Sequence, residues 1–401
     1  MEPVVLLLKN GDLYSPDYVG VVDVLVLNGK IAMIGRGLDF NCTGLDVKVL
    51  NLRGMHLVPG FIDNHVHIIG GGGEAGFHSR TPEVMLSSIT QSGITTVVGV
   101  IGTDGTTRHL ETLLAKARAL TQEGITAYIY TGSYELPLIT LTGSTRRDIV
   151  LIDEVIGTGE IAISDHRSSV PTVEELTRIA SDTRVGGMLC GRTGVLNLHM
   201  GGGREGFSNI FRVLKDTEIS IRHFLPTHIT RSRDLFEQAK IFATLGGTID
   251  MTAEMDEAHG FAGAIGISDA VNSCLENGIP IENITISSDG NGSMAVFDRE
   301  GQVKRLIVTK LNGLYNELKA LVVSGLDLSA ALRPITSNVA RALGLPEKGR
   351  IAVGCDADIT VLDGDMQVNA VIARGRMMVE GGLPVVKGTF EDLNDERDSA
   401  E

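Results

Sequence analysis

Two histidines stand two residues apart in the segment "LVPGFIDNHVH", which covers residues 57–67. Alternate side chains of a β-strand point to the same face, so His65 and His67 would lie side by side with Cα atoms ~6.6 Å apart. Two imidazoles on one face can hold one metal ion. The segment alone also fits a strand end with one structural and one exposed histidine, so the rest of the chain has to distinguish the two interpretations.

Residues of metal-binding type also occur in four later strand-like segments, one near the predicted start of its strand and three near the end. They are Glu160 in "GEIAISDHR", His199 in "VLNLHMGGG", His228 in "FLPTHITR" and Asp289 in "ITISSDGNGS". A lone histidine is more often structural, and a lone aspartate before glycine is more often a turn former. Their joint occurrence favours one metal centre. The predicted ligands are His65, His67, Glu160, His199, His228 and Asp289.

The segments that carry these residues alternate with helix-like stretches such as residues 107–124 and 230–247. Eight strands alternating with helices predict an α/β fold, a (β/α)8 TIM barrel, in which functional residues lie at the C-terminal ends of the strands. An open doubly wound sheet is the alternative. The predicted strands are residues 57–67, 94–100, 125–134, 159–167, 195–203, 224–231, 247–253 and 284–293.

The two ends of the chain differ from the middle. Residues 1–55 and 350–390 consist of short strand-like runs separated by Gly and Asp turns. We therefore expect both ends to form one small β-sandwich domain around a catalytic barrel of residues 56–349. Residues 391–401 are predicted to be an acidic tail. A length of 401 residues fits a barrel with one accessory domain.

The charge balance excludes some partners. The chain has 35 Lys and Arg against 50 Asp and Glu, a net charge of −15, and no basic stripe interleaved with aromatic residues. We therefore expect no nucleic-acid partner.

The N-terminal apolar run is too short for a signal peptide or a membrane span, so we expect no membrane association. The cysteines form no CxxC pair, which suits a cytoplasmic protein: Cys42, Cys190, Cys274 and Cys355.

Four of the segments, "PGFIDNHVH", "NLHMG", "PTHITR" and "SSDGNGS", resemble the amidohydrolase superfamily. The resemblance spans nearly the whole chain, because the β-rich ends look like the composite small domain of that superfamily. More narrowly, "GGGGEAGFHSRTPE", "TGSYELP", "AISDHRSS" and "LPTHITRS" resemble the isoaspartyl dipeptidases. This resemblance implies a binuclear zinc enzyme that hydrolyses β-aspartyl dipeptides and forms a homo-oligomer.

One position departs from that family. The fourth strand of isoaspartyl dipeptidases usually supplies a lysine that carries CO2 as a carbamate and bridges two zinc ions. This chain has Glu160 there, while Lys116 and Lys215 fall in helix-like segments. Glutamate offers the same two-oxygen carboxylate without CO2, and carboxylates are suitable zinc ligands. We therefore expect Glu160 to bridge two zinc ions, with a single-metal site as the alternative.

The resemblance also implies a mechanism. Zinc lowers the pKa of a bound water towards ~7. Asp289 would accept a proton from that water and pass it to the leaving amine, and Tyr134 would hydrogen-bond the carbonyl oxygen as it becomes an oxyanion. The metal ligands divide into His65, His67 and Asp289 for one ion and His199 and His228 for the other, with Glu160 between them.

Substrate recognition requires groups that complement the charges of a β-aspartyl dipeptide. Glu74 suits the α-amine, and Arg167 and Arg231 suit the C-terminal carboxylate, because a guanidinium group binds a carboxylate in a two-pronged fashion. An arginine on so acidic a chain is more often in a surface salt bridge, so the roles of Arg167 and Arg231 rest largely on the resemblance. The candidates for the aspartyl carboxylate are Gly72, Thr103 and Ser293.

Two other functions are compatible with parts of this pattern. One is another amidohydrolase activity, such as that of a dihydroorotase, a hydantoinase or an N-acyl amino acid hydrolase, against which Glu74 and the two arginines argue. The other is a catalytically silent scaffold. Silent relatives typically lose metal ligands, whereas this chain keeps every histidine, so the scaffold is disfavoured.

Overall fold

The computed structural model describes residues 5–41, 43–44, 46–297 and 303–391. In chain order, the described strands are β1 Val5–Tyr14, β2 Tyr18–Leu27, β3 Lys30–Gly35, β4 Val47–Asn51, β5 His56–Pro59, β6 Phe61–Val66, β7 Ile94–Gly99, β8 Thr126–Thr131, β9 Val155–Ile163, β10 Val195–Met200, β11 Phe224–Thr227, β12 Ile249–Thr252, β13 Ile284–Ser287, β14 Ser293–Phe297, β15 Val303–Val308, β16 Ile359–Leu362, β17 Val368–Ala373, β18 Arg376–Glu380 and β19 Leu383–Pro384.

Helices fill most of the connections between the strands. They are α1 Leu86–Thr90, α2 Leu110–Glu123, α3 Thr145–Leu151, α4 Val173–Leu189, α5 Ser208–Asp216, α6 Arg233–Thr244, α7 Ile267–Glu276, α8 Gly313–Val323, α9 Leu328–Leu332 and α10 Ser337–Leu343. Local sequence explains several boundaries. Helix α4, for example, begins after a capping box in which Thr172 and Glu175 each accept a backbone N–H of the other residue.

Strands β6 to β13 form a ring of parallel strands. β6 to β11 pair consecutively and β12 pairs with β13, all in parallel. β11 packs against β12, β13 packs against β6, and a parallel bridge joins Val66 to Gly290. Every residue of β6, β7, β9 and β10 is buried, as expected for parallel strands covered by helices on one face. The α/β class is confirmed, and the ring excludes an open doubly wound sheet.

Strands from both ends of the chain form one nine-stranded sheet. Its order is β19-β18-β17-β16-β5-β1-β2-β3, and β4 pairs with β1. The join between the two ends is the antiparallel pair of β5 and β16, in which Pro59 lies opposite Ile359. Strands from the two β-rich ends therefore meet in one sheet. The predicted acidic tail lies, apart from Glu391, outside the described residues.

The predicted strand 57–67 is divided into two strands by Gly60. β5 belongs to the nine-stranded sheet and β6 to the ring. A Cβ at Gly60 would lie 2.3 Å from Oγ1 of Thr95, and the Gly60 N–H donates to the carbonyl of Asp358 at 2.9 Å. The chain passes between the two sheets at a point too crowded for a side chain.

Three further features complete the fold. Beyond β13, strands β14 and β15 form an antiparallel hairpin that begins at Ser293. In the described ranges, no helix is long and apolar enough to cross a membrane. Three described cysteines, Cys190, Cys274 and Cys355, are free thiols, and Cys42 lies outside the described residues.

Candidate active site

The two histidines of the first ring strand point into one buried cluster. His65 lies within β6 and is fully buried, and His67 follows the end of the strand and is 6% exposed. Their ring centroids are 5.8 Å apart, in agreement with the predicted common face. The Nε2 atom of His65 lies 3.3 Å from Oε2 of Glu160. The end of β6 therefore contributes two imidazoles to the site.

Glu160 lies at the centre of the cluster. It is the sixth residue of β9, so the prediction that it begins its strand is wrong. Its Oε2 atom lies 3.1 Å from Nδ1 of His199 and 3.5 Å from Nε2 of His228, and its Oε1 atom lies 3.9 Å from Nε2 of His67. Burial raises the pKa of this carboxyl, but His65, His199 and His228 outweigh burial and hold the pKa well below its usual value.

Asp289 completes the cluster from the side of the ring opposite to Glu160. It follows β13 and adopts a left-handed conformation with φ 51°. Its Oδ1 atom lies 3.1 Å from Nε2 of His67 and 3.6 Å from Nε2 of His65. Burial raises the pKa of Asp289, but the hydrogen bond with His67 and the neighbouring histidines lower it to about 2. The carboxylate is therefore ionised at neutral pH.

The cluster has the donor atoms of a metal centre. Buried ring or carboxylate atoms of His65, His67 and Glu160 have no hydrogen-bond partner, and leaving such atoms unpaired costs about 1–3 kcal/mol each. Burial and the nearby His199 lower the pKa of His228 to about 3, so its imidazole is neutral, the form that binds metals. The residues fit bound cations in three groups: His65, His67 and Glu160; His65, His228 and Asp289; and Glu160, His199 and His228.

Tyr134 reaches the cluster from just beyond the third ring strand. It follows the end of β8 by three residues, and its hydroxyl lies 2.7 Å from Nδ1 of His199. Burial, together with the charge of Glu160, raises its pKa well above the ordinary value. The phenol therefore keeps its proton and can donate a hydrogen bond into the site.

The predicted recognition residues Glu74, Thr103 and Arg167 lie together beside the cluster. The Nη1 atom of Arg167 is 3.4 Å from Oε1 of Glu74 and 3.3 Å from Oγ1 of Thr103. The second oxygen of Glu74 is buried and has no partner. Glu74 therefore has one carboxylate oxygen free to accept a hydrogen bond.

Gly72 and Ser293 lie next to each other at the rim. A Cβ at Gly72 would be 3.1 Å from Cβ of Ser293 and 2.4 Å from the carbonyl oxygen of Ser79, so only glycine fits, with its φ of 78°. The buried Arg108 donates to the carbonyls of Gly71 at 2.7 Å and Gly72 at 3.4 Å. Arg108 was not predicted as a site residue, because it lies in the helix-like stretch of residues 107–124 and nothing in its spacing indicates these carbonyls.

Arg231 lies in the turn after β11 with its guanidinium partly open. Its Nη1 atom is 3.8 Å from Oδ2 of Asp165, and its buried Nε has no partner. Asp165 also contacts Arg167 and His199. Asp165 was not predicted as a site residue. Its position in the "DHR" segment, two residues before Arg167, was a usable signal.

The sequence model of the Amidohydrolase family matches residues 56–378, and the chain belongs to this family, whose enzymes use divalent metal ions. Within it, the chain is similar to the β-aspartyl dipeptidase from the thermophilic keratin degrader Fervidobacterium islandicum AW-1, solved in complex with a β-Asp-Leu dipeptide. The identity is 46%, the TM-score is 0.89, and the match covers 95% of this chain and 98% of that one. A second structure of that β-aspartyl dipeptidase is 44% identical, with a TM-score of 0.86 and the same coverage.

Curated adenine deaminases that match most of this chain are more distant and longer. Adenine deaminase 2 from Desulfotalea psychrophila is 24% identical over 400 residues, which cover 95% of this chain but 59% of the relative. The chain therefore spans about three fifths of the length of that deaminase.

Proposed function

We propose that the chain hydrolyses the isoaspartyl bond of β-aspartyl dipeptides. The observation that carries the proposal is the position of Glu74 and Arg231, a carboxylate and a guanidinium with open hydrogen-bonding atoms, beside a buried histidine–carboxylate cluster. A β-aspartyl dipeptide has an ammonium group and a C-terminal carboxylate on either side of its scissile bond, which matches these two charges. The 46% identity to a β-aspartyl dipeptidase over nearly the whole chain supports the same conclusion.

The site would hold two zinc ions. Two of the three candidate ligand groups share Glu160, which supports a bridging role for this carboxylate in place of a carbamylated lysine. His65, His67 and Asp289 would hold one ion, and His199 and His228 the other. When bound, zinc supplies a Lewis acid that polarises the scissile carbonyl and lowers the pKa of water to ~7.

Asp289 and Tyr134 would move and hold protons during the reaction. Asp289 is ionised at neutral pH and can accept a proton from the attacking water and then give it to the leaving amine, because the two steps occur in sequence. Tyr134 keeps its phenolic proton and would donate a hydrogen bond to the carbonyl oxygen as negative charge develops there.

The rim would select the substrate by charge. The free oxygen of Glu74 would accept a hydrogen bond from the α-amine of the aspartyl residue. Arg231 and Arg167 would bind the C-terminal carboxylate, where charge-assisted hydrogen bonds are stronger than neutral ones. The aspartyl α-carboxylate would lie against Gly72, Thr103 and Ser293.

The proposal extends to domain organisation and assembly. Residues 1–55 and 350–390 would form a β-sandwich domain and residues 56–349 the catalytic barrel. A single buried cluster that includes Leu6, Val24 and Ile31 from N-terminal strands and Ile359 and Ile372 from C-terminal strands supports a sandwich interior. The enzyme would be a cytoplasmic homo-oligomer whose partner is the small dipeptide substrate.

The decisive experiment compares hydrolysis of β-Asp-Leu and α-Asp-Leu by the purified protein, with the metal content measured on the same sample. We expect cleavage of the β-linked peptide alone and two zinc ions per chain. Asp289→Asn is the matched control, because it keeps the size of the side chain but removes the proton acceptor. Activity only on the α-linked peptide, on neither peptide, or only on dihydroorotate or a hydantoin would refute the assignment.

A further inference from the structure

Asp165 has contacts that none of the roles proposed above uses. It lies two residues beyond β9, and its side chain is 3% exposed. Its Oδ1 atom accepts hydrogen bonds from the backbone N–H of Arg167 at 2.8 Å and from Nε of the same residue at 3.0 Å. Its Oδ2 atom accepts from Nη2 of Arg167 at 3.0 Å and lies 3.2 Å from Nε2 of His199. One carboxylate therefore contacts a candidate metal ligand and a candidate recognition residue.

The contact with His199 determines which ring nitrogen carries the proton. Nδ1 of His199 faces Oε2 of Glu160 at 3.1 Å, so this is the nitrogen that can serve as a metal ligand and must keep its lone pair. With Nδ1 reserved for the metal, the proton would sit on Nε2, which lies 3.2 Å from Oδ2 of Asp165 and 3.2 Å from Nη2 of Arg167. A carboxylate that accepts the second N–H of a metal-binding histidine fixes its tautomer and its ring orientation. Asp165 occupies that position.

The contact with Arg167 fixes the plane of the guanidinium. Nε and Nη2 together face the two oxygens of Asp165, a bidentate arrangement that is geometrically specific. Only Nη1 remains for Glu74 and Thr103. Without Asp165, the long side chain of Arg167 would lose the contacts that hold it across the ring of Tyr134, 5.1 Å from the ring centroid.

We propose that Asp165 is a positioning residue that orients His199 towards the metal and Arg167 towards the carboxylate of the leaving residue. The inference rests on the proposed function and adds a residue that couples the metal centre to substrate selection. A buried aspartate in the other sheet makes the contrast clear. Among the described residues, Asp23 accepts hydrogen bonds only from the backbone N–H groups of Asn10 and Leu38, both at 2.8 Å, and it has no such connection to the site.

The test uses Asp165→Asn, which keeps the shape but removes the charge, with Asp23→Asn as the matched buried control. Zinc affinity is measured by competition with a chromogenic chelator, and kcat/KM is measured for β-Asp-Leu and for β-aspartyl-leucinamide, which lacks the C-terminal carboxylate. Asp165→Asn should bind its weaker zinc ion about 10- to 100-fold less tightly than the wild type. Its preference for the acid over the amide should fall about tenfold. Asp23→Asn should change neither quantity.

A second variant guards against misfolding. Asp165→Glu keeps the charge and should retain more zinc affinity and more preference for the acid than Asp165→Asn. Wild-type zinc affinity together with a wild-type preference in folded Asp165→Asn overturns the proposal, and so does an equal loss of kcat/KM on both substrates with unchanged zinc affinity. If the wild type does not cleave β-Asp-Leu, the proposed function fails, while the zinc titration still decides whether Asp165 orients His199.

Discussion

The protein buries charged side chains in several places, and two of these clusters differ in how completely their charges are paired. The first is the histidine–carboxylate cluster at the mouth of the ring. The second lies beside the nine-stranded sheet, where Nζ of the buried Lys348 is 2.6 Å from Asp358 and 2.8 Å from Asp356. Asp356 also binds Lys30 at 2.7 Å.

This second cluster is complete within the chain. Each lysine faces at least one carboxylate, and no buried side-chain atom of these four residues lacks a partner. At the mouth of the ring, the histidine–carboxylate cluster leaves both ring nitrogens of His65, one of His67 and one oxygen of Glu160 without a hydrogen bond. A cluster in which every buried polar atom is paired can stabilise the fold, whereas a cluster with unpaired buried atoms can bind a ligand through them. Variants in the two clusters should therefore affect different measurements.

The largest effect is expected at Glu160. Glu160→Gln keeps the size but removes the bridging charge, so metal content should fall below two ions and turnover should drop on the order of a thousandfold. Turnover and metal content are measured on the same sample. Because a glutamate needs no CO2, the metal-free wild type should regain full activity with zinc in bicarbonate-depleted buffer.

Glu160→Ala provides the control for this prediction. Acetate or propionate should partly restore activity by filling the space with a carboxylate. Two bound metals and normal turnover in Glu160→Gln would show that Glu160 is not the bridge.

The next largest effect concerns stability. Lys348→Met leaves the buried Asp358 without its cationic partner, while Asp356 keeps Lys30, so the free energy of unfolding should fall by about 3–5 kcal/mol. Urea denaturation measures the change. Metal content and kcat/KM of the folded fraction should stay at wild-type values. A stable Lys348→Met variant with lost activity would contradict the separation of the two clusters.

A smaller effect is expected for Arg231→Met. Losing a charge-assisted contact with the substrate carboxylate should lower kcat/KM for β-Asp-Leu. The loss of transition-state stabilisation should be about 2–4 kcal/mol, with both metals retained. Steady-state kinetics and metal analysis provide the measurement. Arg118→Met is the control, because Arg118 is half exposed and its ion pair in the described part of the chain is with Glu154, at 2.8 Å. Equal kinetics in the two variants would place Arg231 outside the substrate site.

The smallest effect is expected at Lys30. Its side chain is 42% exposed, and its contacts with Glu347 and Asp356 are both 2.7 Å. Exposed ion pairs contribute little, so Lys30→Met should lower the free energy of unfolding by at most about 1 kcal/mol. The comparison with Lys348→Met in the same denaturation series isolates the effect of burial. Equal destabilisation by both variants would mean that burial does not set the strength of this cluster.

Sequence patterns were sufficient to predict the ring and the meeting of the six candidate ligands in one cluster, because both depend on regular features. Parallel strands place their C-terminal ends on one rim, so residues at those ends meet whatever the intervening loops do. The interruption at Gly60 was not predictable in this way. Pro59 and Gly60 interrupt the apolar run and are typical of turns, but the packing reason for the break is the approach of Thr95, which comes from another strand.

The start of β9 was misjudged for a related reason. The segment "VIGTGE" contains two glycines, which are typical of loops. In the structure, a Cβ at Gly157 would lie 2.3 Å from the carbonyl oxygen of Val195, so glycine is required there by close packing against β10. The roles of Asp165 and Arg108 likewise depend on partners from distant segments, which local spacing does not indicate.

The pairing of β5 with β16 has a mechanical consequence. The two ends of the described chain lie in the same sheet. The whole ring is inserted in the chain between β5 and β16, which are neighbours in that sheet. A pulling force applied at both ends would load the hydrogen bonds between β5 and β16 before it reached the strands that carry the histidines. The ring would come under tension only after the hydrogen bonds between β5 and β16 had broken.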